Sequence, residues 1–191
     1  MNREVPEFHP VIRRLWRIDQ SRVRGHFLRL DYDSRHLRFG GPVNDAGINK
    51  YVDGFFAPGV VAYGAFVDGE LRALAELRRD IIRRQAPAEM AFSVEAECQN
   101  HGIGDALFRQ MVAVARNRGI KKLLLHCLSN NIRMRHLALK HEADLEFGFG
   151  EVEGTLSAPW PSFVSVFQEM VAENRALLDA VLHWPARVAK P

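Results

Sequence analysis

The sequence predicts an α/β domain organised around a β–α–β unit. An apolar run from Ala88 to Val94 leads through a short polar loop to Gly102 and Gly104, which open a helix that ends near Gly119. A second apolar run, from Lys121 to Cys127, follows that helix directly. Two strands joined through a helix must be parallel, and the crossover is almost always right-handed. A ligand is therefore expected at the carboxyl ends of these strands.

The helix of this unit should be largely buried. Leu107, Met111 and Val114 recur at helical spacing, and Phe108 and Val112 form a second apolar row beside them. A helix that is apolar over most of its circumference is surrounded by other elements. After the second strand, 129–131 (Ser-Asn-Asn) opens a further helix.

Shorter elements precede this unit. The run from Val11 to Ile18 can form a first strand, and the helix that follows it extends to about Leu30. The breaker residues 40–42 (Gly-Gly-Pro) separate that helix from a short one, which begins at Asn44 or Asp45 and ends near Val52.

A hairpin and the last strands complete the sheet. The strand-like runs 60–67 and 70–78 are separated by Asp68-Gly69, a pair that favours a type I′ turn. The segment 144–156 should supply one or two final strands. We thus expect one domain over residues 1–156, and a C-terminal helical extension over 157–191 that packs on it through Phe163, Phe167 and Met170.

The composition excludes several classes of protein. The 191 residues carry a formal net charge of +3, with arginines dispersed rather than gathered into a stripe, so we expect no nucleic-acid partner. No apolar run is long enough to span a bilayer, and the N-terminus does not resemble a signal peptide, so a cytoplasmic protein without a membrane partner is expected. Two isolated cysteines and dispersed histidines indicate neither a disulfide framework nor a metal site.

The glycines after the strand 88–94 form a phosphate-binding turn. The first amides of a helix have no partner within it, and glycine lets a pyrophosphate approach the main chain. A dinucleotide fingerprint requires a third glycine where this chain has Leu107, and the Lys-Ser/Thr of a Walker loop is absent. The residues at these positions therefore exclude both the dinucleotide-binding class and the Walker-loop class.

The remaining pattern carries a family resemblance. Gln99, Gly102 and Gly104 resemble the Gln/Arg-x-x-Gly-x-Gly/Ala acetyl-coenzyme A signature of the GNAT N-acetyltransferase superfamily. The segments 34–41 (SRHLRFGG), 89–94 and 131–138 are most similar to the acetyltransferase domain of bacterial protein-lysine acetyltransferases. The resemblance, strongest between Ala88 and Ala138, implies a mixed, mostly antiparallel sheet of six to seven strands with a central parallel β–α–β acetyl-coenzyme A unit.

The resemblance also implies a coenzyme site. The backbone of 92–94 would pair with the pantetheine arm, the amides of 101–106 would hold the pyrophosphate, and Asn131 would contact the pantetheine or simply cap its helix. Asp105 would oppose the phosphates unless it turns away from them. The implied coenzyme-binding residues are Phe92, Ser93, Val94, Gln99, His101, Gly102, Ile103, Gly104, Asp105, Ala106 and Asn131.

A general base is needed because a protonated amine has no lone pair with which to attack the thioester. The resemblance places Glu89 at the position of the catalytic glutamate, with Glu76 and Glu95 in reserve. Many relatives carry a tyrosine seven residues after the asparagine as general acid. Here that position is Ala138.

The expected function is therefore N-acetyl transfer from acetyl-coenzyme A to a primary amine of a protein lysine, a polyamine or another small molecule, by direct attack in a ternary complex. The alternative, favoured by Ala138, is a catalytically weak acyl-coenzyme A-binding regulatory module. A cationic acceptor would suit four aspartates in the segment expected to form the acceptor wall, although these are equally typical of turns and caps. We expect a monomer or a homodimer, and no metal. The aspartates are Asp31, Asp33, Asp45 and Asp53.

Overall fold

A seven-stranded sheet forms the centre of the molecule. The structure is a computed structural model that describes residues 10–83 and 86–157. The strand order is β1-β2-β3-β4-β5-β7-β6, and within these ranges only β4 and β5 pair in parallel. The strands are β1 (Val11–Leu15), β2 (Val60–Val67), β3 (Glu70–Arg78), β4 (Ala88–Val94), β5 (Lys122–Leu128), β6 (Asp144–Phe147) and β7 (Glu151–Ser157).

Helices cover both faces of this sheet. The first and third pack over β1–β3 through Val23, Phe27 and Ile48, and the second lies against β4 and β5. The fourth packs on the opposite face through Leu107 and Met111. Two separate apolar clusters result, one on each side of the sheet. The helices are α1 (Gln20–Arg29), α2 (Tyr32–Phe39), α3 (Asp45–Asp53), α4 (Ile103–Asn117) and α5 (Ile132–Lys140).

Most of the predicted elements are confirmed. The hairpin joins β2 to β3 through Asp68 and Gly69, whose φ angles of 51° and 79° are both positive, as a type I′ turn requires. The parallel β4–α4–β5 unit lies at the centre, and the segment after α5 supplies two strands rather than one.

Two details differ from the sequence prediction. The first strand ends at Leu15 instead of Ile18, because the Asp19 carboxylate accepts hydrogen bonds from Arg13 and from the Trp16 amide at 3.1 Å and so turns the chain into α1. The segment 32–39, to which the sequence analysis assigned no element, is helix α2. Asp31 caps its N-terminus by accepting from the Ser34 amide at 2.7 Å.

The C-terminal extension predicted over 157–191, with its stripe Phe163, Phe167 and Met170, lies outside the described residues apart from Ser157, which ends β7. Within the described ranges, no helix has the length and apolarity needed to cross a membrane.

The pairing of β4 with β5 is short, and this creates the main opening in the fold. The register runs only from Ala88 opposite Leu123 to Met90 opposite Leu125. Beyond Met90, β4 remains paired with β3 as far as Val94, whereas β5 pairs with β7. One edge of β4 from Ala91 onward therefore faces a gap between the two strands.

We predict that Gly64→Ala destabilises the fold, whereas Gly41→Ala does not. A Cβ atom at Gly64, in the buried middle of β2, would lie 2.4 Å from Leu71 Cδ1 and 2.9 Å from Leu15 Cδ2. Overpacking of this kind costs about 1–3 kcal/mol. A Cβ at Gly41 meets nothing within 4 Å. Urea unfolding of the two variants measures the difference, and equal midpoints would contradict the packing described here.

Candidate active site

Two cavities meet where β4 and β5 diverge. The first, about 400 Å³, is lined by the edge of β4, the glycine loop and α5; we call it the cradle cavity. The second, about 450 Å³, lies beside Glu89 and is called the Glu89 cavity. Leu37 and Arg38 of α2 line both cavities. A molecule in one cavity can therefore approach a molecule in the other at this point.

The cradle cavity brings together most of the residues predicted to bind a coenzyme. It does not include His101, Ile103 or Ala106 in its lining, and Ile103 is buried in the core. The predicted residues that do line it are Phe92, Ser93, Val94, Gln99, Gly102, Gly104, Asp105 and Asn131.

The N-terminus of α4 presents free amides. Gly102 caps it in the left-handed conformation, with φ +75°, and no side chain among the described residues caps the helix. The Ala106 amide donates to the Gly102 carbonyl at 3.0 Å, so Ala106 has no free amide to offer a phosphate, contrary to the sequence prediction. The amides of Ile103, Gly104 and Asp105 are the ones that the first turn leaves without a helical partner.

Gln99 and Asn131 fix the two sides of the cradle cavity. Gln99 Nε2 donates to the Val94 carbonyl at 3.0 Å, which ties the glycine loop to β4. Asn131 Oδ1 accepts from the Met134 amide at 3.1 Å and so caps α5. The capping role of Asn131 is thus observed, and its contact with a coenzyme stays a prediction.

Asp105 is neutralised by its neighbours. Its carboxylate accepts from Lys140 Nζ at 3.0 Å and from His141 Nε2 at 2.8 Å, and it also pairs with Arg109. Burial alone would raise the pKa of Asp105, but hydrogen bonds from Lys140 and His141 and the charge of Arg109 hold it below its ordinary value. The side chain is thereby engaged with cations of α4 and α5, which offsets the repulsion that it would exert on a phosphate.

An aromatic stack lies behind Asp105. The ring of His141 is stacked on Phe108 with centroids 4.2 Å apart, and Phe108 is stacked on Phe92 at 5.4 Å. The stack fixes the imidazole that holds Asp105 and supports β4 at the cavity wall. No local sequence pattern predicts this contact, since the two outer rings are separated by 49 positions along the chain.

Ser93 and Glu95 belong to a buried polar network with His26 of α1. His26 Nδ1 lies 2.9 Å from Glu95 Oε1, and His26 Nε2 lies 2.8 Å from Ser93 Oγ. Burial lowers the pKa of His26 and keeps it neutral. Because the Glu95 carboxylate can only accept, Nδ1 carries the proton and Nε2 accepts from the Ser93 hydroxyl. The network fixes α1 to β4 and orients Ser93.

Glu95 is poorly suited to act as a base. Arg29 Nη2 and Arg72 Nη1 also donate to it, at 2.9 Å and 2.8 Å. Burial opposes its charge, yet the hydrogen bonds from His26, Arg29 and Arg72 lower the pKa of Glu95 to about 2. A carboxylate held this strongly in its ionised form binds a proton weakly at neutral pH.

Glu76 is also committed to its neighbours. This carboxylate is 1% exposed and pairs with Arg38 and with the Tyr51 hydroxyl through one oxygen, and with Arg78 Nη2 at 2.9 Å through the other. Burial and the adjacent Glu76 charge raise the pKa of Tyr51, although Arg38 opposes the shift, so the phenol stays protonated and donates to Glu76. Glu76 therefore functions as the counter-ion of two arginines.

Glu89 is the exposed carboxylate of β4 in the second cavity. It lies next to Arg78 across the sheet and shares the cavity with Ala91, His126 and Glu151. No hydrogen bond to its carboxylate is found within the described ranges, so both oxygens are available to a ligand. Of the three glutamates considered, Glu89 alone combines exposure with a place in a cavity next to the cradle.

The aspartates expected in an acceptor wall line neither cavity. Asp31 caps α2, Asp45 pairs with Arg35 at 2.6 Å, and Asp53 pairs with Arg24 at 2.8 Å. They hold helices in place, so they do not support the expectation of a cationic acceptor. Ala138 is buried within the apolar cluster and supplies no proton. No set of three metal-ligating side chains is found in the described part of the chain.

Comparison with known proteins agrees with this geometry. Residues 27–142 match the model of the acetyltransferase (GNAT) family. An acetyltransferase of Pseudomonas aeruginosa, PA5475, is 29% identical over 134 residues, which cover 68% of this chain and 72% of that protein.

Solved structures share the fold. The GNAT domain of S. lividans PAT superposes with a TM-score of 0.65 at 21% identity, over 82% of this chain and 99% of that one. The PaiA N-acetyltransferase of Thermoplasma acidophilum, solved in complex with coenzyme A, gives 0.59 at 18% identity over 78% and 99%. These structures show the mixed α/β fold, and the family match gives the class of enzyme, a coenzyme A-dependent acyltransferase. The chain belongs to the GNAT acetyltransferase family.

We predict that Glu95 makes stability depend on pH below 4.5. Its pKa is depressed in the folded state from an ordinary 4.5 to about 2, so its stabilisation is present above pH 4.5 and is lost as the pH falls towards 2. Glu95→Gln should lower the free energy of unfolding at pH 7 and show a weaker pH dependence between 5 and 2, measured by urea unfolding. The exposed neighbour Glu97 supplies the control, Glu97→Gln. Parallel pH profiles for wild type and Glu95→Gln would contradict the assignment.

Proposed function

We propose that this chain transfers an acetyl group from acetyl-coenzyme A to a primary amine, by direct attack of the amine in a ternary complex. The observation that carries the proposal is the meeting of the two cavities at Leu37 and Arg38, beside the open edge of β4. A thioester held in the cradle cavity and an amine held in the Glu89 cavity can react there without a covalent enzyme intermediate.

The coenzyme would occupy the cradle cavity in an extended form. Its pyrophosphate would accept hydrogen bonds from the amides of Ile103, Gly104 and Asp105, where the helix dipole adds positive potential. Its pantetheine arm would lie along the edge of β4 from Phe92 to Val94, which β5 leaves unpaired. This mode of pairing resembles the addition of a strand to a sheet edge.

Glu89 would serve as the general base. The incoming amine must lose a proton before it attacks, and a carboxylate can take that proton directly or through one water. The new C–N bond forms as the C–S bond breaks, and coenzyme A leaves as its thiolate. Ala138 stands in place of the tyrosine, so the departing thiolate would take its proton from solvent, or would take up the proton that the amine has released. Protein lysines, polyamines and other small amines are all acceptors compatible with this chemistry.

Acetyl-coenzyme A is expected to raise the melting temperature of the protein, whereas NAD is not. A ligand that binds only the native state stabilises it by about 2.7 kcal/mol at a concentration of 100 Kd. Gly104→Val should abolish most of this shift, because Gly104 lines the cradle cavity and its added side chain would project from the first turn of α4.

Gly104 is a sharper test than Gly102, whose positive φ would strain any substituted residue. The matched control is Gly41→Val, at an open position that lines neither cavity. An equal shift with NAD, or an unchanged acetyl-coenzyme A shift in Gly104→Val, would refute the coenzyme site.

Glu89→Gln should lower kcat by about 10²–10⁴-fold, the usual contribution of a positioned general base. The amide keeps the size and polarity of the side chain, so the acetyl-coenzyme A melting shift should not change. Release of coenzyme A in the presence of a panel of amines and lysine peptides measures the rate, and Glu97→Gln is the control. Near-normal turnover by Glu89→Gln would show that the base lies elsewhere. Coenzyme binding without turnover by the wild type would instead identify a regulatory module.

A further inference from the structure

The lining of the Glu89 cavity is divided by charge. Arg38 of α2 and Arg78 of β3 contribute two guanidinium groups. Glu89 of β4 and Glu151 of β7 contribute two carboxylates, and His126 of β5 lies between those two strands in the sheet. A ligand in this cavity meets the two arginines, with Glu76 between them, on the side of α2 and β3, and the carboxylates of Glu89 and Glu151 on the side of β4 and β7.

The arginine side keeps a net positive charge. Glu76 is the only carboxylate that pairs with Arg38 or Arg78 among the described residues, so the cluster of two arginines and one glutamate carries a charge of +1. Burial disfavours the charged form of both arginines, but Glu76 raises the pKa of each, and both stay protonated. The neutral Tyr51 hydroxyl completes the cluster without changing its charge.

Several donors of this cluster are not in use. Arg38 and Arg78 each bond to Glu76 and Tyr51 through Nη2 alone. Arg38 is 8% exposed at its side chain, and its buried Nε has no partner within the described ranges. Buried donors of this kind are normally satisfied, so the cluster is one acceptor group short. A planar carboxylate matches the fork of a guanidinium better than any other small anion of a metabolite except phosphate.

We propose that the acceptor is a zwitterionic small molecule, an amine that carries a carboxylate within a few bonds, as amino acids do. Arg38 and Arg78 bind the carboxylate, and the amine lies beside Glu89 and points to the thioester. This inference rests on the proposed acetyl transfer and narrows its substrate class. The 450 Å³ of the cavity suits a small molecule, since such sites span about 300–1,000 Å³.

Amines without an acidic group fit this cavity less well. A polyamine brings only positive charge to a wall that already carries +1, and it leaves the arginine donors unpaired. A lysine side chain in a protein has no carboxylate within reach of its amine. A site rejects a ligand strongly when that ligand leaves buried polar groups of the site without a partner. This rejection is stronger than the selectivity that apolar contacts provide.

The test compares amino acids with partners that lack the carboxylate. Methionine is paired with methioninamide, phenylalanine with phenethylamine, and lysine with cadaverine, and coenzyme A release gives kcat/KM for each. We expect at least one amino acid to exceed its partner by tenfold or more. Equal rates within all pairs, or a preference for polyamines or lysine peptides, would overturn the inference while leaving acetyl transfer intact.

Binding provides a readout that does not depend on turnover. Calorimetry of the same pairs, with the protein saturated by coenzyme A, should show the amino acid binding more tightly than its partner. If no amine is acetylated, the proposed function fails, and the calorimetry still decides whether the cavity selects carboxylates. Absence of that selectivity in both assays refutes the inference.

Two variants locate the recognition. Arg78→Gln should raise KM for the preferred amino acid by about tenfold or more, and should lower the rate with its uncharged partner by a clearly smaller factor. Arg78→Lys keeps the charge but loses the planar fork, so we expect it to recover only part of the affinity. Arg17→Gln, an exposed position outside both cavities, is the control. An equal loss for both members of a pair in Arg78→Gln would indicate a structural role and overturn the proposal.

Discussion

The divergence of β4 from β5 after Met90 is the constraint on which the site depends. A parallel pair normally continues as far as both strands extend, because each unpaired backbone group that is buried costs free energy. Here the β4–β5 pairing stops at Met90 although β5 stays paired with β7 and β4 with β3, so the edge of β4 from Ala91 to Val94 has no strand beside it. Both cavities arise from this single departure, and the open edge is itself a row of hydrogen-bonding groups for an extended ligand.

Two buried carboxylates hold the helices against this opened sheet. Glu95 joins α1 to β4 through His26, and Glu76 joins α2 and α3 to β3 through Arg38 and Tyr51. Burying a lone carboxylate is costly, and removing one partner of such a group is strongly destabilising. Their arginine partners meet that cost and also occupy the oxygens of both glutamates with hydrogen bonds. Glu89 is therefore the one carboxylate of the three that is free within the described part of the chain, because Glu76 and Glu95 are already bound to arginines.

The sequence was sufficient for the features that depend on local pattern. The hairpin at Asp68-Gly69, the β4–α4–β5 unit and the glycine loop follow from turn chemistry, periodicity and spacing, and the structure confirms them. Helix α2 was missed because its residues carry no clear apolar period, and its ends depend on the cap at Asp31 and the left-handed Gly40. The sequence contains both of these end signals, but they indicate a helix only when the residues between them also favour one.

The electrostatic networks could not be predicted in the same way. Glu95 meets His26 across 69 positions, and Glu76 meets Arg38 across 38. Pairings of that separation are set by the tertiary fold and have no local sequence signature. For the same reason, the sequence could not show that Asp31, Asp45 and Asp53 cap and tether helices, or that all four aspartates lie outside the lining of both cavities.

The charges of the two cavities differ in a way that suits two different ligands. Arg38, Arg133 and Lys140 line the cradle cavity, and Asp105, the one carboxylate in its described lining, pairs with Arg109 and Lys140 and also bonds to His141. That positive charge suits a coenzyme with several phosphates, and under the proposed acetyl transfer it would also favour a departing thiolate, which would lessen the need for an acid at the position of Ala138. Arg38 lines both cavities, so under the proposed acetyl transfer its charge would act on the leaving group on one side and on the acceptor on the other. Under that proposal the same side chain would couple recognition of the acceptor to the polarity of the reacting centre, and Glu76 would set that polarity by cancelling one of the two arginine charges beside it.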